Sequence, residues 1–479
     1  MILSINEKSF KLYLEHIVKE VFSERFADEL LDAYVKIENG FASAEVKLLK
    51  EIVSSRERIS EHPSESIAVT CALGKCIIKL GRLFGGNSLP YGVLTGVRPL
   101  KLAKDICVHS GIESVIEGLE AKYLVRADKG ELLSSCVKYD GVVNSLHKIK
   151  DVSLYVSIPF CPSRCSYCSF VSSSIESKQR LIPEYLKALF YEMECVSRLV
   201  SEFSLNIKSI YVGGGTPGIL TEEYLKALLV QINKLFISDT VVEFSFELGR
   251  PDTVTERKLE LLKQYGVDRI CINTQTTNNA ILEAIHRKHT AEQYFSAVEL
   301  AKRFDFSSIN TDLIAGLNGE SLESFKKSLS EVISTGVDNV TVHTLCVKKS
   351  SSLRETYGTS LDYGDIDSLI EYSQKYCISK GFEPYYLYRQ KYALGNHESV
   401  GWCKHGKYSH YNIAMMNEIE TVIGMGAGAT SRVVSISDSE KHHHFENFKY
   451  PDDYIRDHHK MLKQIEGIGK VLLRLGEGY

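Results

Sequence analysis

The residues with the strongest claim to chemistry are three thiols in one short loop, Cys161-Pro-Ser-Arg-Cys165-Ser-Tyr-Cys168, with no fourth cysteine nearby in the chain. Thiolates are soft ligands with high affinity for iron-sulfur cores, and a C-x3-C-x2-C loop can fold back so that its sulfurs converge on one centre. A [4Fe-4S] cluster held by three thiolates keeps one iron open to a substrate or cofactor. Two other readings stand beside this one. A structural zinc site closes all four positions and usually announces itself as two C-x2-C pairs, and cysteines also cluster for packing or redox exchange.

The loop needs a rigid platform, and the flanking sequence supplies one. Leu154-Tyr-Val-Ser-Ile-Pro-Phe160 is a β-branched and aromatic run that predicts a strand entering the loop. From Val152 onward, strand patterns at 154–158, 209–212, 241–247, 269–274, 308–314 and 339–345 alternate with amphipathic helical stretches at 183–199, 221–235, 291–304 and 321–335. Thr221 is the expected N-cap of the second helix, with Tyr224 where a capping-box acid would sit. Six βα units fit a partial (β/α)6 barrel or an open doubly wound sheet, and in either fold the sites gather at the carboxyl ends of the strands.

Those ends carry chemistry-bearing residues in succession. The second strand runs into Gly213-Gly-Gly-Thr-Pro217, where absent side chains let backbone donors approach a ligand. The third ends in Glu247-Leu-Gly-Arg-Pro-Asp252, an acid followed by an Arg-Asp pair. The fourth ends in Asn273-Thr-Gln275, with His286-Arg-Lys-His289 after it, and the fifth in Asn310-Thr-Asp-Leu-Ile-Ala-Gly-Leu-Asn-Gly319.

With Tyr167 in the aromatic place before the third cysteine, the sequence resembles the radical S-adenosylmethionine (SAM) enzymes. The order of motifs from about Leu154 to Pro451, together with Thr95-Gly-Val-Arg-Pro99, is similar to the oxygen-independent coproporphyrinogen III oxidase (dehydrogenase) family, in its longer branch with an N-terminal extension. The resemblance implies a partial (β/α)6 radical SAM barrel at 151–350, an N-terminal α/β accessory domain at 1–150 and a C-terminal mixed α/β region at 351–479 covering the substrate. It implies Cys161, Cys165 and Cys168 as ligands of a [4Fe-4S] cluster whose open iron is chelated by SAM. Gly214, Gly215 and Thr216 would contact the SAM amino-acid moiety, and Glu247, Gln275, Arg287 and Asp312 its amino acid and ribose hydroxyls. Cys346 and Val347 would lie beside the adenine through backbone atoms.

The implied reaction is radical abstraction of a β-hydrogen from a substrate propionate, followed by loss of CO2 and one electron to leave a vinyl group. An electron donor such as flavodoxin or ferredoxin would serve the cluster. Four propionates call for cations, and Arg98, Lys348, Lys349, Arg389 and Lys391 are the candidates. Tyr385-Tyr-Leu-Tyr388 offers aromatic rings for a tetrapyrrole face or for core packing. One position departs from the oxidase pattern: Phe170 stands where members of that family carry a further cysteine, as it does in the related haem chaperone branch. The alternative functions are therefore haem binding and delivery, with His343, His397 or His405 as an axial ligand, or radical chemistry on another substrate.

Composition limits the remaining possibilities. The 479 residues exceed one ordinary domain, and 25% charged residues with a net charge of -4 give no global argument for a nucleic-acid partner. Charges at Glu7 and Lys8 come too early for a signal peptide, and no apolar run approaches the ~20 residues of a membrane span. The twelve cysteines are mostly scattered, unlike a secreted disulfide framework, so a reducing cytoplasmic setting is expected. Cys71 and Cys76 are expected to pack inside a buried helix at 64–80, and a further helix is expected at 10–22. The loop holding Cys403, His405 and His410 reads as part of a lid, and His442-His-His444 as a solvated loop.

Overall fold

The computed structural model describes residues 1–479 except 23–25, 27, 63, 87–88, 95–97, 147–149, 169–172, 175–177, 348–364, 391–392, 435–441 and 477–479. The chain divides into two compact units, Met1–Val137 with Tyr388–Glu398, and Lys138–Leu387 with Ser399–Tyr479.

In the first unit, β1 (Ile2–Ile5), β2 (Leu30–Glu38), β3 (Phe41–Leu48) and β4 (Glu51–Arg58) form a sheet in that order. Strands β2, β3 and β4 make an antiparallel meander, none of whose strands the sequence analysis names. The signal was present: Asn39-Gly40, both at positive φ, is the dipeptide favoured in two-residue hairpin turns. One face of the meander is covered by the helix Glu65–Leu83, N-capped by Ser64, which buries Cys71 and Cys76 as expected. Lys129 and Glu398 form an ion pair at 2.7 Å with both side chains nearly inaccessible.

In the second unit, β5 (Asp151–Ile158) leads into the cysteine loop, where β6 (Phe160–Cys161) pairs with β7 (Ser173–Ser174). Next come β8 (Asn206–Gly214), β9 (Glu243–Gly249), β10 (Arg269–Ile272), β11 (Ser308–Ala315) and β12 (Asn339–Thr344). Strand β5 and strands β8 to β12 run parallel in sequence order, as the alternating pattern predicted. Strand β5 is buried along nearly its whole length, the pattern of a parallel strand covered on both faces. Two of the helices between the later strands begin with side-chain caps, Thr221 on Tyr224 N and a full capping box at Thr290 and Gln293.

The sheet then extends beyond the six parallel strands at both edges. Beyond β12 lie β14 (Glu398–Cys403), antiparallel to it, and β13 (Glu383–Arg389). Beyond β5 lie β15 (Thr421–Met425), parallel to it, then β16 (Thr430–Val433) and β17 (His443–Glu446). Because Asn339 pairs with Cys403, the loop from Cys403 to His410 sits at the amino ends of the parallel strands. That is the end opposite the cysteine loop, so the loop does not cover it. Nor is the histidine run all loop: His443 and His444 lie on β17, exposed.

Candidate functional site

The carboxyl ends of the parallel strands bring the predicted residues to one rim. Gly215 N donates to Ile158 O at 2.9 Å and Thr216 N to Phe160 O at 2.8 Å, so the glycine segment is stitched to the entrance of the cysteine loop. The approach is too close for any side chain at 215, where a Cβ would lie 2.7 Å from Phe160 O and 2.9 Å from Cys161 Sγ. Gly214 has φ +115 and a Cβ there would press on Ser157 Oγ and Ile158 N. Thr216 Oγ1 lies 3.5 Å from Cys161 Sγ.

The second half of the cysteine loop is held from β10 and the segment after it. Ser166 N donates to Ile285 O at 3.1 Å, and Cys168 N to Cys165 O at 3.1 Å. The Arg287 guanidinium is buried; it donates to Tyr167 Oη at 3.1 Å and to Asn273 O, and its Nη1 lies 3.8 Å from Cys165 Sγ. Its neighbours Tyr167 and Cys165 favour the charged form strongly enough to outweigh burial, so Arg287 is a fixed cation.

Strand β10 stops earlier than the sequence pattern predicted. Its register with β9 shifts between Cys271 and Ile272, and the chain re-pairs with β11 only at Gln275, which bridges to Leu313. Gln275 takes φ +75, an unusual conformation for a residue with a side chain, and its N donates to Asp312 O at 2.9 Å. The irregularity swings Gln275 out of the strand alternation; its Oε1 and the Nε of Arg287 are buried without a hydrogen-bond partner among the described residues. Buried polar atoms are rarely left so, and two of them at one rim indicate a place for a polar ligand.

Glu247 and Asp312 face each other across β9 and β11 and titrate in opposite directions. Burial, reinforced by Asp312, pushes Glu247 up to about 7 against the hydrogen bond from Tyr211 Oη at 2.5 Å. Burial also pushes Asp312 upward, but His343, whose Nε2 is 3.6 Å away, and the donors Asn310 and Thr341 outweigh it and hold Asp312 below the usual carboxylate range. One acid that protonates near neutrality thus lies beside one that stays ionised, a donor and an acceptor suited to paired hydroxyls. Beneath them is a cavity of about 350 Å³, lined by Tyr155, Tyr211, Tyr385, Tyr386 and Tyr411 among others. That is at the small end of ligand pockets, roughly 300–1,000 Å³. Tyr155, Tyr211 and Tyr411 stack there, the last two with centroids 4.5 Å apart.

The sequence reading did not single out Tyr211, gave Asn310 no role of its own within its strand-end motif, and assigned His343 a different role, because a partner across the barrel leaves no local pattern. Cys346 is half-buried just beyond β12. Among the described residues no group of three His, Cys, Asp or Glu side chains is gathered for a single metal ion. A cluster differs in that each thiolate binds a separate iron, so its three ligands stand further apart than those of one ion. Three cysteines on one loop, backed by glycine and flanked by a fixed cation, fit that donor set.

The substrate cations fare differently. Arg389 belongs to the first unit, where its guanidinium donates to Asn396 O at 3.0 and 2.8 Å and to Leu94 O at 2.5 Å and lies over the Tyr91 ring at 4.4 Å, so it is committed to the fold. Arg98 is exposed in the same unit at the start of the helix Pro99–Ser110. Lys348, Lys349, Lys391 and Phe170 lie outside the described residues. Of the histidines, His397 is buried in the first unit, His405 is exposed beside Glu383 and His343 is taken by Asp312.

Comparison with known proteins agrees with this geometry. Residues 155–332 match the radical SAM superfamily. The oxygen-independent coproporphyrinogen-III oxidase-like protein HemZ of Bacillus subtilis (strain 168) is 37% identical over 375 residues, covering 77% of this chain and 75% of that protein. The heme chaperone HemW of the same organism is 31% identical over 278 residues, covering 58% of this chain and 70% of its own. Among solved structures, coproporphyrinogen III oxidase (HemN) from Escherichia coli, described as a radical SAM enzyme, shares the fold with a TM-score of 0.52 at 20% identity, over 66% of this chain and 71% of that one. The chain belongs to the radical SAM superfamily, within the family of oxygen-independent coproporphyrinogen III oxidase-like proteins.

Proposed function

We propose that this protein is a radical SAM oxidoreductase that converts coproporphyrinogen III propionates to vinyl groups, with Cys161, Cys165 and Cys168 holding a [4Fe-4S] cluster. The observation that carries the reading is the single rim where the cysteine loop meets Gly215, the split Glu247 and Asp312 pair, and the unpartnered Gln275 Oε1 and Arg287 Nε. When bound and reduced by a donor such as flavodoxin or ferredoxin, the cluster and SAM would supply a 5′-deoxyadenosyl radical.

The chain's own residues prepare that event. Gly214 and Gly215 leave room for a ligand's amino-acid end to approach the backbone, and Thr216 closes over Cys161. Ionised Asp312 accepts from a ribose hydroxyl while Glu247, near its midpoint at neutral pH, can donate or accept. Gln275 and Arg287 would gain the partners their buried atoms lack among the described residues. The cavity beneath, with its five tyrosines, gives the rim an aromatic floor.

A second reading, haem binding and delivery by the same barrel, is favoured by Phe170 and by the likeness to HemW. One experiment separates the two. The reconstituted protein is incubated anaerobically with dithionite, SAM and coproporphyrinogen III, and 5′-deoxyadenosine and protoporphyrinogen are followed together. Both products in proportion are expected; deoxyadenosine without a vinyl product moves the substrate elsewhere, and tight haem binding with neither product establishes the chaperone.

A further inference from the structure

The Arg-Asp pair at the end of β9 is left unused by the site as built, yet it places a cation at the rim with only 2% of its surface exposed. A guanidinium is not buried without compensation. Arg250 Nε and Nη2 fork onto Asp252 at 2.8 and 2.7 Å, which leaves Nη1 to donate to Ser163 Oγ at 2.6 Å. Ser163 stands midway between Cys161 and Cys165. Its own hydroxyl donates to His286 O at 3.2 Å, next to the Arg287 that holds the second half of the loop. The base of the tether is rigid, because Thr253 N and Oγ1 both bond Arg250 O, at 3.1 and 2.7 Å.

We propose that Arg250 is a positioning residue for the cysteine loop, its fork with Asp252 holding Ser163 and thereby the spacing of Cys161 and Cys165, while its charge, by neutralising Asp252, keeps an uncompensated anion away from the loop and so favours the reduced state of what those thiolates bind. The inference rests on the reading that the three cysteines hold an iron-sulfur cluster. Groups behind metal ligands set both ligand orientation and potential, and their loss typically costs about 10–100-fold in metal affinity. Lysine cannot substitute, since a single ammonium cannot fork onto a carboxylate and reach a hydroxyl as well.

The test uses the full chain, reconstituted anaerobically with iron and sulfide, and measures iron and sulfide content, the rate at which a chelator strips the cluster, and the midpoint potential. Ser163→Ala is expected to strip about tenfold faster than the unaltered protein with an unchanged melting temperature. Arg250→Gln is expected to strip at least as fast and to disfavour reduction about tenfold, a fall of about 59 mV for one electron. Arg250→Lys should keep the potential but strip like Arg250→Gln, and the double variant should be no faster than Arg250→Gln, because the two side chains form one tether. Stripping of Ser163→Ala at the unaltered rate, or an unchanged potential in Arg250→Gln, overturns the proposal. Should Arg250→Gln fail to fold, Ser163→Ala decides. An unaltered protein that takes up no cluster overturns the underlying reading first, which distinguishes the two failures.

Discussion

Replacing Gly215 by alanine tests whether the glycine segment and the cysteine loop are one packed unit. The added Cβ would meet Phe160 O at 2.7 Å and Cys161 Sγ at 2.9 Å. Restoring ordinary contact at 3.4 Å requires Phe160 O to retreat by 0.7 Å and the sulfur by 0.5 Å. The carbonyl cannot move alone, because it accepts from Thr216 N at 2.8 Å while Gly215 N is tied to Ile158 O at 2.9 Å. Overpacking of this kind costs about 1–3 kcal/mol, and weakening one of these bonds adds about 1 kcal/mol. The expected loss is therefore about 2–4 kcal/mol in urea unfolding, with incomplete cluster incorporation because Cys161 is displaced. Gly141→Ala is the control: it lies in the helix Ala127–Leu146 with nothing among the described residues within 4 Å of a new Cβ, so it should be neutral or slightly stabilising. A Gly215→Ala protein within about 0.5 kcal/mol of the unaltered chain, carrying a full cluster, would refute the close-approach argument.

Other perturbations separate the remaining parts. Asp312→Ala should weaken SAM binding, read by equilibrium dialysis, while the cluster chromophore remains; unchanged affinity would contradict its assignment. Glu192 is buried in the second unit among Gly426 N, Tyr454 Oη and Asn447 Nδ2, and burial raises it to about 7 from 4.5. With its folded pKa above the unfolded one, its contribution to stability is complete below about pH 4.5 and is lost as pH rises through about 7. Unfolding free energy should fall between pH 5 and 7.5 at up to ~1.4 kcal/mol per pH unit for this group, and Glu192→Gln should flatten that decline; an equal slope in the variant would count against it. Lys129→Met should cost about 3–5 kcal/mol in urea unfolding, since it strands the Glu398 carboxylate without its cation in the first unit; a loss under about 1 kcal/mol would show that the pair contributes little.

The local sequence determined a great deal. The thiol spacing, the glycine triplet and the six alternating strand and helix patterns are all short-range features, and residues 154–345 folded into elements within a few positions of where hydrophobic periodicity put them. Strand ends could be read for function because parallel strands deliver their carboxyl ends to one face. The misses share one cause. The break of β10 before Gln275, the Tyr211 bond to Glu247, the hold of His343 on Asp312 and the reach of Arg250 to Ser163 all join residues from different strands or loops. The Cys403 to His410 loop was misplaced because antiparallel β14 carries it to the far end of the barrel, and Arg389 was read as a free cation because nothing nearby in sequence announces Leu94 or Tyr91. Spacing along the chain specifies which groups are available and which secondary structure presents them. Which of them become donors, acceptors or fixed charges depends on the partners and the dielectric that packing brings to each, and those are set only once the chain is folded.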